Sequence, residues 1–75
     1  MAAKAFILIE TAVGRTKEVT SSLKQLEEFN SVDIVTGPYD VIAVIERASL
    51  DDIGDLVTSK IHPVPGVSRT VTCLV

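Results

Sequence analysis

The chain has no tryptophan, one tyrosine, one histidine and one cysteine among its 75 residues, and each shortage removes a class of function. A single cysteine, Cys73, allows no disulfide within the chain, and without a C-x-x-C pair there is no soft-metal carrier site. Cys73 itself lies in an apolar run and reads as a small buried hydrophobe. The only aromatics are Phe6, Phe29 and Tyr39, too few for a sheet surface on which RNA bases stack. His62 stands between a helical pattern and Pro63, where it suits the carbonyls of a helix end; no serine or cysteine nucleophile is paired with it. No glycine-rich loop cradles a phosphate.

Charge is equally uninformative for nucleic acid. The seven basic residues are scattered singly from Lys4 to Arg69 in a chain of net charge -3, so no basic footprint exists to neutralise phosphates. No basic-plus-apolar leader opens the sequence, and the apolar stretch from Ala5 to Ile9 is far too short to span a bilayer. These absences predict a protein without catalytic residues, metal or cofactor, making no contact with membrane or DNA, in a reducing cytoplasm.

What is present is apolar: 47% of the residues. A single domain of this size, residues 1–75, buries only about 60% of the surface its unfolded chain exposes. Association with further chains is therefore a natural source of added burial. "KAFILIET" reads as a strand apolar on both faces. In "TKEVTSSLKQLEEF" the positions Val19, Leu23, Leu26 and Phe29 recur at helical spacing, with Thr16 as the expected cap and Glu18 at the positive helix end. "SVDIVTG" and "DVIAVIE" flank a Gly-Pro turn and predict a hairpin. "SLDDIGDLVTSKI" returns to helical spacing through Leu50, Ile53, Leu56, Val57 and Ile61, opened by Ser49 and Asp52. Asp51, Asp52 and Asp55 read as helix-end and solvent contacts. After "HPVPG", "VSRTVTCLV" alternates as a last strand.

The order is β-α-β-β-α-β, the ferredoxin-like α+β sandwich, whose right-handed crossovers set both helices on one face of a four-stranded antiparallel sheet. The other face should alternate with polar residues, yet "AFILI" and "VIAVI" contain none. A second copy packed sheet against sheet at about 10 Å would cover it, giving a symmetric dimer of the dimeric α/β-barrel type.

The stretch "TGPYD", residues 36–40, combines turn residues with a tyrosine and an aspartate. Tyr39 and Asp40 either finish the turn through local hydrogen bonds or face a ligand. In the second reading, consecutive turn N–H groups hold a carboxylate and Asp40 receives an ammonium, which together match a zwitterionic amino acid. Ser68, Thr70 and Thr72 form a polar alternation that is either the wetter face of an edge strand or part of the same site.

The hairpin "TGPYDVIAVIE", the later "PGVSRTVTCLV" and the element order resemble the ligand-binding (RAM) domain of the Lrp/AsnC transcription regulators. Gly37, Tyr39 and Asp40 match a Gly-x-Tyr-Asp hairpin pattern, and Pro65, Gly66, Val67, Thr70 and Thr72 match the family's last strand. The resemblance spans essentially the whole chain. It implies a homodimer assembling into higher rings, an octamer or decamer, with an amino acid or related metabolite bound between dimers by Gly37, Tyr39, Asp40, Thr70 and Thr72. It also implies full-length regulators as co-assembly partners. No helix-turn-helix precedes the first strand, so a stand-alone effector domain that does not itself bind DNA is expected. A small dimeric α/β-barrel enzyme, an ACT-like domain and a purely scaffolding module remain the alternatives.

Overall fold

The computed structural model describes residues 2–75. Its elements are β1 (Ala3–Thr11), α1 (Thr16–Gln25), β2 (Ser31–Ile34), β3 (Val41–Arg47), α2 (Leu50–Leu56) continued by a π-helical turn (Val57–Ile61), and β4 (Val67–Leu74). The predicted ferredoxin-like order is the observed one. The strands form one antiparallel sheet in the order β2-β3-β1-β4. The two continuous apolar runs occupy its centre, while the shorter or more polar strands take the edges, where one side of the backbone meets solvent.

Register decides what each face contains. Ala5 lies opposite Ile45, Ile7 opposite Ala43 and Ile9 opposite Val41, and all six are fully buried against the helices. Val19 and Leu23 of α1 and Ile53, Leu56, Val57 and Ile61 of the second helical segment close this core. Leu26 and Phe29 pack against it from beyond the end of α1 rather than from within the helix. Leu50, expected in the buried stripe, is 56% exposed, because α2 begins at that residue just past the end of β3.

The two helix starts differ from one another. Ser49 caps α2 as expected, its Oγ accepting from Asp52 N–H at 3.2 Å. At α1 the cap position is Arg15, not Thr16, whose hydroxyl instead shares a 2.8 Å hydrogen bond with that of Thr11. Arg15 grips Glu18 through Nε at 2.7 Å and Nη2 at 3.0 Å. That guanidinium holds the Glu18 carboxyl below the usual carboxylate range.

The opposite sheet face carries a continuous apolar stripe of Phe6 and Leu8 from β1, Ile42 and Val44 from β3, and Val71 from β4. Charged pairs close the stripe at both ends, Lys4 opposite Glu46 and Glu10 opposite Arg69. Cys73 also lies on this face, opposite Phe6, and is exposed rather than buried because no helix covers this side of the edge strand.

Candidate functional site

Three loops meet at the end of the sheet where β1 leaves it, and the hairpin "TGPYD" is one of them. Gly37 adopts φ +134°, a conformation that L side chains rarely take, although there is open space around it. Asp40 ties the hairpin to β1 through its backbone and its side chain. Its C=O accepts from Val35 N–H and its N–H donates to Ile9 O, both at 2.9 Å. Its carboxylate Oδ2 accepts from Thr11 N–H at 2.9 Å. The turn-bracing role of Asp40 is thus present, and Oδ1 makes no hydrogen bond among the described residues.

These bonds narrow one expectation. Pro38 has no N–H and that of Asp40 is already engaged by Ile9. The N–H groups of Thr36, Gly37 and Tyr39 make no hydrogen bond among the described residues, and the first two are consecutive.

Tyr39 is half-buried and held by a residue that the sequence did not single out. Its hydroxyl accepts from Arg69 Nη2 at 3.2 Å, and the guanidinium carbon lies 5.5 Å from its ring centroid. The same Nη2 is 3.8 Å from Glu10 Oε2. Arg69 therefore reaches from β4 over β1 to the hairpin, on the sheet face away from the helices. Arg69 was hidden because its partner is thirty positions distant in the chain.

Thr70 and Thr72 face the other way. Their partners are Ile9 and Ile7, so both lie on the helix side of β4. Thr72 is exposed; Thr70 is half-buried and shares a 3.0 Å hydrogen bond with His62 Nε2. His62 thus engages β4 rather than the helix-end carbonyls, delivered there by the π-helical turn, in which its own N–H donates to Val57 O at 3.0 Å. The pairing of β1 and β4 shifts between Glu10 and Thr11, leaving Ser68 as the extra residue of a bulge. At this bulge lies a recess of about 360 Å³ lined by His62, Val67, Ser68, Arg69 and Thr70. Gly66, at φ +98°, closes the floor of this loop: a Cβ there would stand 2.9 Å from Val19 Cγ2 and 3.0 Å from Arg15 Cβ.

Tyr39 and Asp40 are thereby brought together with Arg69 at the end of β1, whereas Thr70 and Thr72 are not in the same group. β1 separates the hairpin strand from β4, a span of two strand spacings or about 10 Å. Among the described residues, no three or more His, Cys, Asp or Glu side chains cluster as metal ligands, and no helix is long and apolar enough to cross a membrane.

This architecture is that of a small α+β ligand-binding module, and the comparisons specify which. The family model described as "Lrp/AsnC ligand binding domain" matches residues 4–75, and the chain belongs to that family. The HTH-type transcriptional regulator FL11 of Pyrococcus abyssi is 35% identical over 71 residues, covering 95% of this chain and 46% of that protein. The chain thus spans about half the length of the curated relatives it matches. The crystal structure of TTHA0845 from Thermus thermophilus is similar at 33% identity with a TM-score of 0.90, covering 97% of this chain and 91% of that one. The regulator NMB0573 of Neisseria meningitidis, solved as a complex with L-Met, shares the fold at 19% identity and a TM-score of 0.85, over 97% of this chain and 49% of that one.

Proposed function

We propose that this chain is one domain that binds an amino acid or related metabolite and couples it to assembly in transcriptional or metabolic regulation, without reading DNA itself. Dimers form by burying the stripe Phe6, Leu8, Ile42, Val44 and Val71, and then assemble into octameric or decameric rings. The effector sits between dimers, where Gly37, Tyr39 and Asp40 of one copy and Thr70 and Thr72 of another line its site. The neighbour that holds L-Met and the helix-turn-helix relatives support this reading, the latter also as co-assembly partners.

The observation that carries it is the separation, within one chain, of the hairpin residues from the two threonines that the family resemblance assigns to the same site. The hairpin offers a free carboxylate oxygen and three unpaired amides, yet the threonines stand about 10 Å away on the opposite face. A second copy joins such halves; a small molecule bridging them within one chain does not. The test is a thermal-shift screen of the standard amino acids. A ligand at 100 times its dissociation constant adds about 2.7 kcal/mol, which raises the melting temperature of a domain this small by roughly 10 °C or more. A shift accompanied by a change in assembly size separates an effector domain from a scaffold. No shift with any amino acid or its keto-acid relative removes the reading.

A further inference from the structure

To hold a zwitterion a site needs an anion and a cation. The anion is Asp40, whose Oδ1 is open while Oδ2 holds Thr11. The turn amides carry partial charges only: those of Thr36 and Gly37 are adjacent and unbonded among the described residues, but Pro38 ends the run and Asp40 N–H is bonded to Ile9. At the same end of β1 stands Arg69. Only its Nη2 is engaged, by the Tyr39 hydroxyl at 3.2 Å, and Nε and Nη1 make no hydrogen bond among the described residues. The nearest carboxylate, Glu10, lies at 3.8 Å, beyond hydrogen-bond reach. Among the described residues no ion pair links Arg69 to Asp40, so neither charge cancels the other. Contact with the Tyr39 ring holds the guanidinium in place, and a planar fork presented in advance loses less freedom when a carboxylate docks.

We propose that Arg69 is the specificity-determining cation of the effector site: it takes the ligand's carboxylate while Asp40 takes the ammonium. The ligand class is then the free α-amino acid, as opposed to an amine or an amino acid whose carboxylate is blocked. This rests on the effector-binding reading above. It assigns the carboxylate to a side chain on β4 and not to the hairpin backbone.

The chain has one tyrosine and no tryptophan, so its intrinsic emission comes from Tyr39 alone and reports directly on the group that Arg69 touches. Wild type, Arg69→Gln and Arg69→Lys are titrated with the non-aromatic standard L-amino acids and with the corresponding L-amino acid amides. Tyr39 emission and melting temperature are followed together. The wild type should prefer an acid over its amide by about 10- to 150-fold, the size of one charge-assisted hydrogen bond. Arg69→Gln should bind both alike and lose the emission response, and Arg69→Lys, which keeps the charge, should retain part of the preference. An acid preference that survives intact in Arg69→Gln overturns the proposal and leaves the effector reading standing. If Arg69→Gln melts far below wild type, the wild type itself decides: equal affinity for acids and their amides overturns the proposal. A panel in which nothing binds the wild type overturns this proposal, and the effector reading falls with it when the wider thermal-shift screen, aromatic and keto acids included, is also silent.

Discussion

Leu8→Thr separates the stability of one chain from the stability of the dimer. Leu8 sits at the centre of the uncovered sheet face, opposite Ile42 on one side and Val71 on the other. Threonine is β-branched and suits a pleated surface, so within a single chain the exchange should cost no more than about 1 kcal/mol. In a two-fold dimer the same exchange acts twice. Burying a leucine side chain contributes about 1.5 to 3 kcal/mol, so removing it from both copies should weaken association by about 3 to 6 kcal/mol, or roughly 10²- to 10⁴-fold. Sedimentation equilibrium over a wide concentration range reads that change directly. The control is Ile7→Thr, one residue away on the helix side and fully buried, which should cost each chain about 2 kcal/mol or more through lost packing and a buried hydroxyl. If Leu8→Thr associates as tightly as wild type, the partner does not cover this face and the sheet-to-sheet reasoning fails.

Asp40→Ala should lower stability by about 1 kcal/mol even without ligand, because Thr11 N–H loses its acceptor, and should also weaken effector binding by about 10- to 150-fold; denaturant melts and calorimetric titration report the two separately. Unchanged affinity for a ligand proven to bind the wild type would leave Asp40 as a brace alone. Gly66→Ala should destabilise by about 1 to 3 kcal/mol, since the new Cβ meets Val19 and Arg15 in a backbone conformation that alanine resists; a denaturation midpoint equal to wild type would refute the contact. Glu18 has a folded-state pKa below its unfolded one, so its contribution is present above the unfolded value and is lost as pH falls through the folded one. The acid limb of the wild-type stability curve should therefore flatten in Glu18→Gln, and salt should shrink the difference, because the pair is solvent-exposed.

The core was legible because a strand apolar on both faces leaves an unmistakable mark on the sequence. "AFILI" and "VIAVI" lack the polar alternation of a half-wet strand, and the centre of the sheet is the one place where that costs nothing. What escaped depended on backbone detail rather than on pattern. Thr16 has the right chemistry for a helix cap, but the neighbouring hydroxyl of Thr11, delivered by β1, competes for it. Cys73 looked buried from its apolar neighbours, yet in an edge strand the parity of a residue decides whether helices cover it, and its register partner Phe6 faces away from them. The π-helical turn has no sequence signal of its own, and His62 at its end meets Thr70.

The surroundings of Tyr39 were legible on the hairpin and hidden on β4 for the same reason of parity. Spaced threonines draw the eye to Thr70 and Thr72, and a strand read by itself gives no way to choose between their face and that of Arg69. The bulge at Ser68 sets which residue takes which face. Because β4 carries one residue more than β1 between Glu10 and Thr11, Val67 can turn inward against the core while Arg69 keeps its place opposite Glu10. Arg69 therefore arrives within reach of Tyr39, on the face that a partner would cover, and Thr70 arrives beside His62 on the other. An effector that pulls on Arg69 acts on a strand whose next outward residue, Val71, belongs to the apolar stripe. If the proposed effector site and sheet-to-sheet dimer both hold, ligand chemistry at the end of the sheet and contact between copies along its face are two demands on neighbouring outward positions of one strand, which would give binding a direct physical route to assembly.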